Sequence, residues 1–241
     1  MLNTTQWTVV FRAAREDRRS DRPALSQLIE RYQQPLYFFA RRQGLSADDA
    51  EDAVQSFLTE LIEGDTLAAA DPAKGRFRTY LLTLWKRFLT DRARYENRLK
   101  RGGGMAVTSL YCAEGEKAWV MWSGSSASDR VDPDRAYYQQ WASTIIESVL
   151  RDLKSEYVRS GRTDVFETLL PLLTVPADAE TYRSSAARMN TTEGAVKVAL
   201  HRLRQRFAQA LRQQVIETLD DADELESELN ELKRYYLRAD A

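Results

Sequence analysis

The chain has 241 residues, 43% of them hydrophobic, and its 35 basic and 36 acidic side chains leave a formal net charge of -1. That length allows one or two globular domains that each bury a core. The single cysteine, Cys112, excludes a disulfide framework, and the single histidine, His201, has no histidine partner for a metal. No apolar run reaches the roughly 18 residues that span a bilayer, and the N-terminal residues are not those of a signal peptide. We therefore expect a soluble cytoplasmic protein with no metal, no cofactor and no membrane association.

Helical periodicity dominates the first 101 residues. Apolar side chains recur at i, i+3 and i+4 spacing in three predicted helices, over residues 24–42, 46–64 and 76–100. Pro35 lies inside the first pattern, so we predict a kink or break near Gln34. Ser46 is a suitable N-cap for the second helix, and the glycines from Gly102 to Gly104 end the third.

Residues 102–132 are rich in glycine and serine and have no sustained period, so we interpret them as a linker. A second block of helical periodicity begins at Pro133. The sequence therefore predicts an all-α protein in which two small helical domains are joined by a linker. The predicted parts are a first domain over 1–101, the linker over 102–132, a second domain over 133–216 and an acidic C-terminal helical extension over 217–241.

The near-zero net charge hides a strong segregation along the chain. Residues 43–73 contain eight acids and no base, whereas residues 74–101 contain ten bases and two acids. Residues 183–212 contain seven bases and one acid, and residues 217–241 contain nine acids and three bases. A single charge run is often only a solvated helix face. Two basic helices, each beside an acidic segment, instead favour a phosphate backbone and a basic protein as partners.

Residues 182–204 have the pattern of a helix-turn-helix motif. Ala186 and Ala187 are small where a second helix must approach closely, and Asn190 suits a left-handed turn between the helices. Thr192 is a suitable N-cap for the second helix. The apolar stripe of that helix leaves a small, partly basic face outward, as a recognition helix in a major groove requires. For this segment alone, an ordinary packed helix pair stays open as the alternative.

Three segments resemble bacterial RNA polymerase sigma factors of the extracytoplasmic-function (ECF) type. Residues 182–206 resemble region 4, which reads the minus-35 element. Residues 49–58 resemble the core-binding motif of region 2.2. Residues 77–94 resemble the helix that engages the minus-10 element. The order of these motifs, the linker and the total length are similar as well. The resemblance implies core RNA polymerase and promoter DNA as partners, leaves an anti-sigma factor open as a third, and implies a non-enzymatic role in transcription initiation.

The resemblance also implies which residues meet each partner. The residues that it places against core polymerase are Asp48, Glu51, Asp52, Gln55 and Leu58. At the minus-10 element, phosphates are neutralised and unstacked bases need aromatic surfaces. The residues implied there are Arg76, Arg78, Tyr80, Trp85, Lys86, Arg87, Arg92 and Arg94. The residues implied at the minus-35 element are Arg183, Thr191, Thr192, Gly194, Lys197, Val198, His201 and Arg202.

Two other classes of protein stay open. A helix-turn-helix transcription regulator that acts without core polymerase leaves the acidic-then-basic helix pair of the first domain unexplained. An all-helical interaction protein without a DNA role leaves the basic recognition helix unexplained. A hydrolase or transferase is disfavoured, because the sequence contains no glycine-rich phosphate loop or nucleophile motif.

The acidic extension carries an apolar stripe of its own. Leu225, Leu229, Leu232 and Tyr236 recur at helical spacing, so we predict an amphipathic helix over 223–238 that needs a partner for this stripe. Two hypotheses follow. The helix either packs permanently on the second domain, or it covers one of the two basic helices until polymerase displaces it.

Overall fold

The computed structural model describes residues 22–64, 75–99, 132–174, 178–219 and 222–237. The regular structure in these ranges is helical throughout, which confirms the predicted all-α class. The α-helices are α1 (Arg22–Arg42), α2 (Ala47–Glu63), α3 (Phe77–Leu99), α4 (Pro133–Arg159), α5 (Thr163–Leu169), α6 (Ala179–Arg188), α7 (Glu193–Ile216) and α8 (Leu225–Leu237). Short 3-10 helices cover Leu170–Leu172 and Ala222–Glu224. The predicted linker lies outside the described residues except for Asp132.

Local signals in the sequence set the ends of α2 as predicted. The Ser46 hydroxyl accepts a hydrogen bond from the backbone N–H of Asp49 at 3.1 Å, which satisfies one of the free donors at the start of the helix. Helix α1 is continuous through Pro35, so of the predicted kink or break near Gln34 the break does not occur. Tyr32 and Leu36 are fully buried on the core side of α1, and their burial offsets the hydrogen bond that Pro35 removes.

The described chain divides into two compact units whose boundaries differ from the predicted domains. The first unit takes the chain up to Thr144 and again from Ile216 onward, and the second unit takes Ile145–Val215. The beginning of α4 belongs to the first unit because its Tyr137 and Trp141 are fully buried there. The C-terminal helix α8 likewise belongs to the first unit, which does not support the hypothesis that it packs on the second domain.

The core of the first unit is built around aromatic side chains. Trp85 of α3 is fully buried, and its ring centre lies 5.0 Å from that of Phe57 on α2. Tyr32 of α1 meets Phe77 of α3 edge to face, with 5.5 Å between ring centres. Each such ring buries a large apolar area, and tilted or edge-to-face pairs add to that gain. These contacts hold α1, α2 and α3 together as one bundle.

The second unit has a separate core that is mainly aliphatic. The helix-turn-helix pair α6 and α7 packs through Ala186, Val196, Leu200 and Leu203 on side chains from α4 and α5. Tyr157 of α4 contacts Phe166 of α5 with 5.4 Å between ring centres. The apolar stripe predicted for α7 is therefore the buried side of that helix.

Candidate nucleic-acid interface

Up to Tyr95, where its side chains are described, helix α3 presents most of its basic side chains to solvent. Lys86, Arg87 and Arg94 are exposed, and Arg92 is half-buried. The Lys86 ammonium pairs with Asp134 at 2.6 Å between Nζ and Oδ2. Both partners are exposed, and a pair of this kind is weak because water screens it. A phosphate group can therefore replace Asp134 at Lys86.

Two open grooves flank α3. One groove, of about 650 Å³, runs beside the end of α1 and includes Lys86, Arg92 and Arg94 in its lining. The other, of about 590 Å³, runs beside α2 and includes Arg87, Arg92 and Tyr95. Basic side chains thus line both flanks of one helix, an arrangement that suits a nucleic-acid backbone.

The aromatic residues of α3 differ in their availability for stacking. Trp85 was predicted to contact DNA, but it is fully buried and stacks on Phe88 with 5.6 Å between ring centres, so it offers no surface to a base. Tyr80 is half-buried, and burial raises the pKa of its hydroxyl above the ordinary value. Tyr95, which the sequence analysis missed, is 58% exposed at the edge of the groove beside α2.

Arg76 and Arg78, at the start of α3, are engaged by the C-terminal helix. The Arg76 guanidinium lies 2.8 Å from a carboxylate oxygen of both Glu228 and Glu231. Arg78 forms ion pairs with the same two glutamates and is itself buried. These two arginines, predicted to meet the minus-10 element, are therefore closed to a phosphate while α8 is in place.

The predicted polymerase-binding residues of α2 divide between surface and core. Asp48 and Gln55 are exposed, and Asp52 is half-buried. Glu51 and Leu58 are buried, which corrects their placement on an outward face. Glu51 lies under Gln55, whose side-chain amide donates a hydrogen bond to it at 3.3 Å.

The outward face of α2 extends further towards its C-terminus than predicted. Thr59, Glu60 and Glu63 are exposed on the turns that follow Gln55. With Ser56 they line an open groove along the helix. Residues three and four positions apart lie on the same side of a helix, so counting from Asp52 identifies these exposed residues once the buried side of α2 is known. The result is an acidic face that suits a basic protein surface.

The turn between α6 and α7 has the geometry predicted from the sequence. Asn190 adopts a left-handed conformation with φ 48°. The backbone N–H of Thr191 donates to the carbonyl of Ala186 at 3.0 Å, which closes the end of α6. The Thr192 hydroxyl accepts from the N–H of Ala195 at 3.2 Å and caps α7. The two helices are thus joined by a turn with the conformation that a helix-turn-helix motif requires.

The outward face of α7 gathers most of the residues predicted to read DNA. Lys197, Val198, His201 and Arg202 are all exposed, as is Gly194 near the start of the helix. Val198 is 50% exposed. In a major groove, a valine at this position can contact the methyl group of a thymine.

Contacts within the motif orient two of its basic side chains. Arg183 on α6 pairs with Glu180 at 2.7 Å and lies 3.8 Å from a carboxylate oxygen of Glu193. The Lys197 ammonium lies 5.0 Å from the centre of the Tyr182 ring. Because these contacts are at the surface, they steer the side chains without closing them to a phosphate. Thr191 and Thr192 are exposed at the same end of α7.

The described residues contain no group of three histidine, cysteine, aspartate or glutamate side chains placed to hold a metal ion. In the same part of the chain, no helix combines the length and the apolar character needed to cross a membrane.

Comparison with known proteins gives one match, and it falls on the basic helix and its neighbours. Residues 28–99 match the family model described as Sigma-70 region 2. The match supports a sigma-70 family factor. Such a factor acts in transcription initiation with core RNA polymerase and promoter DNA. No curated protein and no solved structure matches the chain.

The region 2 match covers α2, α3 and most of α1, so it contains both the acidic face of α2 and the basic residues of α3. The helix-turn-helix pair α6 and α7 lies outside it. The interpretation of α6 and α7 as a DNA-binding motif depends on the geometry of their turn and on the exposed basic face of α7.

Proposed function

We propose that this chain is a sigma factor of the ECF type, which brings core RNA polymerase to promoters and helps to open them. The observation that carries the proposal is the combination of a region 2 match with a helix-turn-helix motif in a separate unit. The first feature accounts for polymerase binding and promoter opening. The second accounts for recognition of duplex DNA upstream. The protein acts in the cytoplasm and performs no catalysis of its own.

In this proposal the acidic face of α2 docks on a basic surface of core polymerase. Asp48, Asp52 and Gln55 supply the predicted contacts that are accessible, and Glu60 and Glu63 extend them. Charge complementarity of this kind speeds association and fixes the orientation of the partners. Glu51 and Leu58 support the face from below because they are buried.

Helix α3 engages the minus-10 element. Lys86, Arg87, Arg92 and Arg94 neutralise phosphates along the two grooves that flank the helix. An opened strand also needs surfaces on which unstacked bases can rest. Tyr80 and the exposed Tyr95 take this role, and Trp85 holds the helix in place from the core.

Helix α7 reads the minus-35 element in the major groove. Lys197, Val198, His201 and Arg202 face the bases and their adjoining phosphates. Arg183, Thr191 and Thr192 contact the backbone at the start of α7, and Gly194 allows close approach to it. A Cβ added at Gly194 meets only the Thr192 hydroxyl, at 3.9 Å, so the site is open on its outer side.

Run-off transcription tests the proposal. Core RNA polymerase freed of sigma factor is mixed with the chain and a pool of linear templates that carry random upstream sequences. A sigma factor enriches transcripts from templates that share two sequence elements. A helix-turn-helix regulator that acts without polymerase binds some templates but yields no transcript with core polymerase alone. That second outcome would replace the proposed function.

A further inference from the structure

The C-terminal helix α8 lies against the N-terminal end of the basic helix α3. Three carboxylates face the Arg76 guanidinium: those of Glu228 and Glu231 at 2.8 Å and that of Glu224 at 3.6 Å. The Arg76 guanidinium also donates a hydrogen bond to the Ser227 hydroxyl at 3.1 Å. Side chains on one face of α8 and just before it therefore contact Arg76.

Arg78 completes the contact. It pairs with Glu228 and Glu231, and its guanidinium lies 4.3 Å from the centre of the Trp141 ring. Arg78 is 4% exposed and Glu228 is 1% exposed, so this ion pair is almost closed to water. Tyr235 stacks on Tyr138 with 5.0 Å between ring centres, which adds an apolar contact beside the charges.

Arg76 and Arg78 lie at the start of the same helix whose later basic residues the proposed function assigns to promoter phosphates. A guanidinium recognises carboxylate and phosphate with the same fork of donors. The carboxylates of Glu224, just before α8, and of Glu228 and Glu231 on α8 lie about one helical turn apart and form a row of negative charge. This row occupies the position that a phosphate would need at both arginines.

We propose that α8 and the promoter backbone compete for Arg76 and Arg78, so that the C-terminal helix restrains DNA binding by the free protein. The inference rests on the proposed function, because it takes α3 to be the helix that meets promoter DNA. One of the two hypotheses from the sequence was that the acidic extension covers a basic helix, and this proposal selects the basic helix of the first unit.

The energetics permit such an exchange. A buried ion pair contributes little net stability, because the cost of removing both charges from water offsets their attraction. The docked state is favoured mainly because α8 is tethered, and a short tether gives an effective concentration of roughly 1 mM. If the isolated helix binds with a Kd of about 0.1 mM, docking weakens DNA binding roughly tenfold. Phosphates held in place by polymerase can overcome an effect of that size.

Binding of a fluorescent single-stranded DNA of mixed sequence tests the proposal in the absence of polymerase. The comparison is between the full chain and a chain that ends at Asp221, which removes α8 but keeps the buried Leu219. The shortened chain is expected to bind roughly tenfold more tightly at low salt. Two freed arginines should also steepen the plot of log K against log salt by about 1.4, at about 0.7 for each phosphate contact on a single strand.

Substitution of Arg76 separates competition from a general effect of shortening the chain. Arg76→Gln should abolish most of the gain in the shortened chain, since it removes a freed contact. The same substitution should change DNA binding little in the full chain, where α8 already occupies the arginine. An equal effect in both chains would overturn the proposal.

Point variants in the full chain test the same competition if the shortened chain fails to fold. Glu231→Gln in the full chain removes a partly exposed carboxylate that reaches both arginines, and it should tighten DNA binding by a fewfold. Glu226→Gln is the matched control, because this exposed residue lies two positions from Glu228 and so on the opposite side of α8. A folded Glu231→Gln chain with unchanged affinity would overturn the proposal, and so would equal gains in the two variants.

The test distinguishes a failure of this inference from a failure of the proposed function. If α8 does not restrain DNA binding but run-off transcription succeeds, the chain is a sigma factor whose C-terminal helix is a fixed part of its first unit. If the shortened chain shows the gain but run-off transcription fails, the competition is real in a protein with another DNA-binding role.

Discussion

Arg78 on α3 and Glu228 on α8 form an ion pair that is almost closed to solvent, although they lie far apart in the sequence. Burial lowers the pKa of the Arg78 guanidinium, and the neighbouring Arg76 lowers it further, while Glu231 acts in the opposite direction. A buried cation is tolerated when it is paired. The pair therefore links the C-terminal helix to the first unit.

Removal of Glu228 should release α8. Glu228→Ala leaves Arg78 without its most buried partner, a change that costs up to about 3–5 kcal/mol when both charges stay buried. Because α8 can leave the site, the loss should be local. Hydrogen exchange should show lower protection of the α8 amides with unchanged protection in α1 to α3. Glu226→Ala on the opposite side of α8 is the control, and equal protection of α8 in both variants would contradict this role for the pair.

Asp52 tests the acidic face of α2. Asp52→Arg reverses the charge of a half-buried residue on the outward face and should abolish association with core polymerase without loss of helicity, since the partner surface is expected to be basic. Co-migration in gel filtration measures the association. Glu30→Arg, an exposed position on α1, makes the same charge change in the same unit. A loss in both variants would indicate a general charge effect and no specific contact.

Lys197 tests the recognition face of α7. If Lys197 contacts a phosphate, Lys197→Ala should reduce the salt dependence of duplex binding by about 0.9 in slope. If it contacts a base edge, the substitution should cost about 1–3 kcal/mol at one base position. Lys154→Ala is the control, because Lys154 is an exposed lysine on α4 that pairs with Glu167. Normal transcription by the Lys197 variant from every promoter would show that another surface reads the sequence.

Substitution of Trp85 by alanine should lower the stability of the fold, whereas substitution of Tyr95 should weaken DNA binding. Trp85→Ala empties a fully buried site, so it should lower the free energy of unfolding by about 3–5 kcal/mol. Tyr95→Ala should leave stability nearly unchanged but weaken binding of single-stranded DNA by about 1–3 kcal/mol if a base stacks there. Chemical denaturation and fluorescence anisotropy measure the two effects. A Tyr95 variant that binds DNA normally would remove this residue from the interface.

Asp178 should make α6 sensitive to acid. Its carboxylate accepts from the Thr181 hydroxyl and from the Thr181 backbone N–H at 2.8 Å, and these hydrogen bonds lower its pKa below the ordinary 3.8. The stabilisation is therefore present above pH 3.8 and is lost as the pH falls through the lowered pKa. The protection factor of the Thr181 amide, which removes the intrinsic pH dependence of exchange, should follow this titration. Asp178→Asn keeps a capping oxygen and should remove the pH dependence, whereas a titration that persists in this variant must come from another group.

Local signals explain why helix ends and the turn of the helix-turn-helix motif could be predicted. The Ser46 hydroxyl caps α2 by accepting from the N–H of Asp49, three residues later. Asn190 adopts the left-handed conformation that its short amide side chain tolerates. Such features depend on neighbours within a few residues. The sequence therefore contains all that is needed to recognise them.

Burial at the edges of a helix face could not be predicted in this way. Leu58 and Glu51 lie beside the outward row of α2, and only the positions of α1 and α3 decide which side of each turn is covered. Trp85 illustrates the same limit, because an aromatic residue on a basic helix suits stacking on a base and packing in a core equally well. The docking of α8 on Arg76 and Arg78 joins distant segments, so charge alone could not select it over the other basic helix.

Titration of sigma-free core RNA polymerase against the labelled chain decides whether this protein is a sigma factor. A sigma factor should form a saturable one-to-one complex with core polymerase, as the wild-type chain and the Glu30→Arg control should and Asp52→Arg should not. If the folded wild-type chain binds promoter-sized DNA yet forms no complex with core polymerase at low salt, the protein is not a sigma factor.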